Sequence, residues 1–307
     1  MVKPPLEKMK EGNSMSMFWW QARNPPEDPK TSFAGKTILI TGANVGLGLE
    51  SAIKFATLGA SSLIFGVRSL QRGEEAKILI CHQTGYPLSN IKILQLDMSV
   101  FASVKQFAEA VTKEVPRLDV ALLNAGMAAP SYQTSPEGYE MSLQVNAIST
   151  ALLSILLLPK LRQTANKIGK LTHLEIVGSN GHSDITQDTL KLSPDDSIIE
   201  KISSKEFFNI MTQYSVTKLI LMYAIEGIVP KTLDESGKPV VILTTVCPGL
   251  CKTNIGREFS WIMKLTNGLF QMFFARTCEE GSRTIVSGAA LDLEAHGEFW
   301  SHDVFYT

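Results

Sequence analysis

Six short apolar runs, each leading into a segment with helical spacing, constrain this chain more than any other feature. The runs are "KTILIT" (36–41), "SSLIFGV" (61–67), "IKILQLD" (91–97), "DVALLNAG" (119–126), "LTHLEIVGS" (171–179) and "PVVILTTVCPG" (239–249). They are rich in β-branched residues and read as strands. Helices are predicted from "VGLGLESAIKFATLG", which ends at Gly59, and over 69–84, 100–115, 137–163 and 212–229. The strands are continuously apolar rather than alternating. That is the pattern of strands buried on both faces, in a parallel sheet covered by helices. No internal repeat and no low-complexity linker interrupts 36–307. The prediction is one α/β domain, a doubly wound parallel sheet of about seven strands with helices on both faces.

Composition narrows the function classes. Of 307 residues 44% are hydrophobic, enough to bury a large core, and 29 basic against 30 acidic residues leave a net charge of −1. With no Lys/Arg run, a nucleic-acid partner is not expected. Cys81, Cys247, Cys251 and Cys278 form no Cys-x-x-Cys pair. Cys247 and Cys251, four apart, are a weak metal hint at most; small buried thiols are the other reading, and no metal is expected. The cysteine usage fits a reducing, cytoplasmic setting. Residues 1–35 read as an extension outside the domain, with an aromatic knot, "MFWW" (17–20), that can fold back onto it. This start is not a signal peptide. "AISTALLSILLLP" (147–159) is too short for a bilayer and reads as a buried helix.

At the first strand–helix turn stands "TGANVGLG" (41–48). Glycines at 42, 46 and 48 let the backbone turn tightly and approach a pyrophosphate, while the helix N-terminus favours the anion. Gly42, Asn44, Val45, Gly46, Leu47 and Gly48 are therefore candidate cofactor contacts in a Rossmann fold. A glycine-rich turn without a ligand is the alternative. The second strand ends "FGVRS" with no carboxylate for a ribose 2′-hydroxyl. Arg68 is placed to pair with a 2′-phosphate, unless it is simply a solvated surface residue. NADP(H) is the expected cofactor.

Over nearly all of 36–300 the chain resembles the short-chain dehydrogenase/reductase family. "TGANVGLG" is similar to the family's cofactor loop. "LDMS" (96–99) resembles the segment whose Asp97 bonds the adenine amino group, with Met98 adding backbone contacts. "NAG" (Asn124, Ala125, Gly126) is similar to the motif after the fourth strand that steadies the cofactor. Asn146 in "LQVNAIST" stands where the family has a helix asparagine, and Ser179 in "IVGSNGH" where it has the catalytic serine. Tyr214 and Lys218 in "TQYSVTK" match its Tyr-x-x-x-Lys, a spacing that composition alone supplies in many chains. "PGLCKT" (248–253) resembles the Pro-Gly-x-x-x-Thr facing the nicotinamide, implying contacts from Pro248, Gly249 and Thr253. "TGANVGLG" and "SNGH" are most similar to the retinol-dehydrogenase-like and WW-domain-oxidoreductase-like branch. Many relatives of this pattern serve fungal biosynthetic pathways, which implies a natural-product substrate. Two departures stand out. Gly178 replaces a common serine before Ser179, and 35 residues separate Ser179 from Tyr214 where many members have about 13. The polar stretch near 182–210 reads as an inserted loop in which substrate choice partly lies.

Tyr214 and Lys218, four apart, share a helix face. A neighbouring ammonium favours a phenolate, lowering a pKa that is ordinarily roughly 10. Tyr214 then exchanges a proton with a substrate oxygen that Ser179 holds. The resemblance adds that Lys218 grips the ribose hydroxyls and that Asn146 holds a water linking Lys218 to solvent. Each residue taken singly also has an ordinary structural reading; their order behind a glycine loop is what argues for a site. The expected reaction is carbonyl/alcohol interconversion, with reduction of a bulky hydrophobic ketone or aldehyde, natural-product-like or retinoid/steroid-like. Phe259, Trp261, Ile262, Met263, Leu265, Leu269, Phe270, Met272, Phe273 and Phe274 make 254–275 a candidate apolar lid. A packed helix pair or a membrane-surface helix, disfavoured because Arg257 and Lys264 alone are basic there, is the alternative. The helices around "ISTALLSILLL" and "VTKLILMYAI" are apolar around much of their circumference, which with the resemblance implies a homodimer. Two other functions stay open: a non-redox cyclase or isomerase on the same scaffold, and a cofactor-binding interaction protein without turnover.

Overall fold

The computed structural model describes residues 15–253, 255, 268 and 270–306. Six parallel strands follow the predicted runs: β1 (Thr37–Thr41), β2 (Ser62–Val67), β3 (Ile91–Gln95), β4 (Val120–Leu123), β5 (Thr172–Val177) and β6 (Val241–Cys247). Every residue of β4, β5 and β6 is buried, as continuous apolar runs require when helices cover both faces. A β-hairpin that the strand count of about seven did not separate closes the sheet: β7 (Phe299–Ser301) and β8 (Val304–Tyr306). The order is β3-β2-β1-β4-β5-β6-β7-β8, eight strands, parallel except for the β7–β8 pair. Both strands are only three residues long, too short for a period to show.

Helix α1 (Met15–Arg23) precedes the sheet, and α2 (Gly46–Thr57), α3 (Leu70–Thr84), α4 (Phe101–Glu114), α5 (Ser149–Ile168), α6 (Gln213–Ile228) and α7 (Cys278–Gly288) follow its strands. Local chemistry sets their ends. Ser69 caps α3 by accepting the N–H of Arg72, and Gly85 ends it in the left-handed conformation. Thr277 and Glu280 form a reciprocal capping box on α7. One core lies between the sheet and α4, α5 and α6, the other between the sheet and α2, α3 and α7. The helical stretch Met141–Ile168 is longer than the run read from sequence, with mean hydropathy 1.7. Its length and composition would allow a membrane span, but 67% of its most apolar window is buried against the domain.

Two segments set aside in the sequence belong to this body. Phe33 is completely buried and meets Phe55 edge-on, ring centroids 4.8 Å apart. A buried phenyl of this kind contributes about 2 kcal/mol. Met17 and Gln21 of α1 are also buried, so the aromatic knot does fold back. The 182–210 stretch is not a bare loop. It carries helical turns at Gln187–Leu190 and Ile198–Ser203, and Leu190 and Ile202 enter the core. Ser203 accepts the N–H of Glu140 at 2.7 Å, and the Glu140 carboxylate accepts from Ser142, Leu143 and Gln213. One buried acid thereby ties the insertion to the starts of two site-bearing helices.

Candidate active site

The strand order reverses between β1 and β4, and the crevice above their carboxyl ends is where an open α/β sheet binds ligands. Thr41 closes that point: its Oγ1 accepts the N–H groups of Asn124 (3.0 Å) and Ala125 (2.9 Å). The Asn124 amide donates back to the Thr41 carbonyl at 3.0 Å. Glycine at 48 is dictated by this joint. A Cβ there would lie 2.4 Å from the Gly42 carbonyl oxygen and 2.6 Å from Asn124 Nδ2. Gly42 itself has φ +70°, a left-handed turn natural only to glycine. The first turn of α2 therefore sits close on the strand end with its N–H groups facing the crevice, a cradle suited to a pyrophosphate.

A cavity of about 950 Å³ opens above this joint. Its wall takes in Gly42, Asn44, Val45, Gly46, Leu47, Arg68, Asp97, Met98, Asn124, Ala125, Gly126, Ser179, Tyr214, Lys218, Pro248, Gly249 and Thr253. Of the catalytic and cofactor candidates singled out from sequence, Gly48 and Asn146 alone are not on the wall. Asn146 is buried in a π-turn, Gln144–Ile148, at the head of α5. Its side chain accepts the Met127 N–H (2.9 Å) and donates to the Met127 carbonyl (2.8 Å) and Thr217 Oγ1 (3.0 Å). That amide positions the loop after β4 against α6. The extra residue of a π-turn turns a side chain off the ordinary helical track, a device frequent at functional sites.

Ser179, Tyr214 and Lys218 meet at one end of the cavity. Tyr214 and Ser179 line the same wall, and Ser179 Oγ accepts the Gly181 N–H at 3.2 Å. Lys218 is buried, donates to the Val177 carbonyl at 2.7 Å and stands 5.8 Å from the Tyr214 ring centroid. Its electrostatics differ from the sequence expectation. Burial, seconded by Cys247, holds the Tyr214 phenol above its usual range, while Ser179 pulls the other way. Burial also lowers Lys218, to about 8. Stripping water from a phenolate costs more here than an ammonium turned toward Val177 returns. Burial thus holds Tyr214 as a neutral phenol.

Arg68 is exposed at the far end of the cavity, near Ser69 and Arg72 at the N-terminus of α3. Asp97 Oδ1 is engaged by the N–H (2.9 Å) and hydroxyl (2.6 Å) of Ser99, which aims the carboxylate. Thr253 N–H donates to the Cys251 carbonyl at 2.9 Å in the segment after Pro248. Most of the candidate lid, 254, 256–267 and 269, lies outside the described residues. Ile255 and Gln271 line the cavity, and Phe270 meets Phe18 of α1 edge-on with centroids 5.5 Å apart. No residue of 182–210 lines it, so the insertion supports the site from behind. The wall instead receives Met17, Phe18 and Gln21 from α1, His302 from the β7–β8 turn, and Cys247. Met17 and Phe18 come from the aromatic knot, but no sequence pattern marked Gln21 or His302, because they come from the two chain ends and converge only through the fold. Among the described residues no cluster of His, Cys, Asp and Glu could hold a metal, and all four cysteines are free thiols.

Residues 36–172 match the family model for short chain dehydrogenases. The chain is 50% identical over 291 residues to the short-chain dehydrogenase/reductase ffsI of Aspergillus flavipes, covering 95% of this chain and 84% of that one. This chain belongs to the short-chain dehydrogenase/reductase family. A second member, phmF of Phaeosphaeria nodorum, is 49% identical with the same coverage. Membership makes it a dehydrogenase or reductase that works with a nicotinamide dinucleotide. Solved structures share the fold at lower identity. The Pseudomonas aeruginosa RhlG/NADP complex aligns with TM-score 0.63 at 19% identity, over 90% of this chain and 97% of that one. A short-chain dehydrogenase/reductase from Burkholderia phymatum in complex with NAD gives TM-score 0.63 at 17% identity, over 88% and 90%.

Proposed function

We propose that this protein is an NADP(H)-dependent reductase that converts a bulky hydrophobic ketone or aldehyde, of natural-product type, to the alcohol. The observation that carries this reading is one crevice whose wall holds Ser179, Tyr214 and Lys218 together with Arg68 and Arg72. The residues present fit a dinucleotide. Gly42 and Gly48 leave room for a pyrophosphate against α2, and the Asp97 carboxylate and Met98 line the way to the arginines. Two guanidiniums at a helix N-terminus, with no acid at the end of β2, favour a 2′-phosphate over a bare ribose hydroxyl. The bound nicotinamide supplies the hydride. Ser179 Oγ and the Tyr214 hydroxyl, on the same wall, offer two donors to one substrate oxygen, which fixes it and polarises the carbonyl. The neutral Tyr214 phenol then gives its proton to that oxygen, which suits reduction. Lys218, charged below about pH 8, sets the local positive potential that makes loss of that proton tolerable.

NADPH oxidation with a panel of apolar ketones and aldehydes tests the reading. Tyr214→Phe is expected to lower kcat by about 10²–10⁴, and Arg68→Ala to erode the preference for NADPH over NADH. Turnover untouched by Tyr214→Phe would overturn the mechanism. A homodimer is part of the same proposal, supported by Ile155 on α5 and Tyr223 on α6, both exposed; a monomeric mass at micromolar concentration would refute it.

A further inference from the structure

Among the described residues two side chains on the cavity wall hold a buried polar atom without a partner, Asn180 Oδ1 and Gln21 Nε2, and only the second is a donor. Gln21, on α1, is only 2% exposed, and its Nε2 makes no hydrogen bond. The orientation of its amide is dictated by its neighbours. The Leu250 N–H, which can only donate, lies 3.2 Å from Oε1. His302 Nε2 lies 3.4 Å from the same oxygen, and His302 Nδ1 lies 2.7 Å from Ser301 Oγ. The Leu250 donor by itself fixes Oε1 as the acceptor, and both N–H bonds of Nε2 are left over. A buried amide nitrogen in this state is costly unless something satisfies it.

The surroundings are built around this amide. A Cβ at position 249 would come 2.6 Å from Gln21 Oε1, so Gly249 is what lets the amide approach the Pro248–Gly249 turn. Arg276 is buried behind it and donates to the carbonyls of Gln21 (3.1 Å), Asn24 (2.8 Å) and Pro248 (3.4 Å), pinning α1 to that turn. His302 and Asp303 are the two central residues of the β7–β8 turn, with φ +55° and +59°. That left-handed pair is normally filled by Asn-Gly. A histidine and an aspartate held there mark a backbone that the site, not local preference, dictates. On the preceding turn of α1, Met17 and Phe18 face the same cavity. An apolar wall with one unpaired donor is the form of a specificity site.

We propose that Gln21 is a specificity-determining residue whose amide N–H groups bind a second oxygen acceptor on the substrate, remote from the reacting carbonyl. The preferred substrate is then an apolar ketone or aldehyde bearing a further carbonyl or ether-like oxygen. The inference rests on the reading of this cavity as a carbonyl-reducing site. Sites that hydrogen-bond a substrate group discriminate strongly against analogues lacking it, because the site's own polar group is then left unpaired.

The test uses the full chain saturated with NADP⁺ and two matched probes, 1-phenylpentane-1,4-dione and 1-phenylpentan-1-one. Binding is read from tryptophan fluorescence, since Trp20 lies 5.8 Å from the His302 ring and Trp19 lies 5.6 Å from Phe274. Wild type is expected to bind the dione at least tenfold more tightly. Gln21→Met should remove that preference, and Gln21→Leu, which is also close in size and has no donor, should do the same. Phe18→Ala should weaken both probes alike. Equal binding of the two probes by wild type, binding of neither, or a preference that survives both Gln21 substitutions would overturn the proposal. So would a Gln21→Met protein whose defect is confined to NADPH affinity, which would assign the donor to the cofactor. A dione preference without NADPH-driven turnover of either probe would instead overturn the reductase reading and leave this inference standing.

Discussion

Replacing Lys218 with methionine should abolish turnover and stabilise the fold. Lys218 is only 4% exposed, and burial lowers its pKa from 10.5 to about 8. A drop of that size corresponds to about 3 kcal/mol at neutral pH, at 1.36 kcal/mol per unit. The sign follows from proton counts. Between pH 8 and 10.5 the unfolded chain holds the lysine proton and the folded chain has released it, so stability rises with pH across that window. Below pH 8 both states are charged and the full cost is present. Methionine matches the stem and removes the charge, but it leaves the Val177 carbonyl without its donor. That loss takes back roughly 1–2 kcal/mol. The net expectation at pH 7 is a gain of about 1–2 kcal/mol, and the gap should narrow by about 2 kcal/mol between pH 7.5 and 10. Urea unfolding followed by tryptophan fluorescence, run on both proteins across this range, measures it. A difference that does not change with pH, or that widens as pH rises, would refute the assignment of a depressed, charge-costly lysine. The catalytic arrangement would then be one that the fold tolerates freely rather than one it sustains at a cost.

Two further substitutions probe the packing beneath the site. Gly48→Ala places a methyl 2.4 Å from a backbone oxygen that cannot rotate away. It should cost about 1–3 kcal/mol in unfolding experiments and weaken NADPH binding at least tenfold by fluorescence titration. Gly227→Ala on α6, where nothing lies within 4 Å, should instead stabilise by about 0.5 kcal/mol. Glu175, in the middle of β5, is fully buried with neither carboxylate oxygen bonded, and burial raises its pKa well above the usual carboxylate range. As pH rises past about 4.3 the unfolded chain ionises while the folded chain stays protonated, so this group lowers stability progressively. The melting temperature of Glu175→Gln relative to wild type should therefore climb from pH 5 to pH 7.5; a constant difference would count against a protonated Glu175.

The chain announces its own architecture where local physics and tertiary need agree. β4, β5 and β6 are apolar at nearly every position because both their faces are covered, and such runs are visible without coordinates. Gly42 and Gly48 are legible for a related reason: the strand-to-helix turn has no room for a side chain. Ser179, Tyr214 and Lys218 were found as a constellation in the required order. Sequence could not supply their electrostatics, since the phenol's elevation comes from surrounding groups that exclude water. The hairpin β7–β8 was too short to register as strands, and the 182–210 insertion looked more polar than the few side chains it buries.

The far wall of the cavity belongs to tertiary structure alone. Gln21 and His302 are 281 residues apart, and Arg276 reaches back 255 residues to the carbonyl of Gln21. No spacing rule connects such positions, because a residue's period reports only which face of its own element it occupies. What the sequence by itself determined was a doubly wound sheet with a glycine turn and the ordered candidates Ser179, Tyr214 and Lys218. What only the folded chain decided was that segments from its two ends join those residues on one cavity wall, with the unpaired Gln21 donor among them. The physical reason is that burial and hydrogen-bond satisfaction are properties of three-dimensional neighbours, and those neighbours are chosen when the core forms.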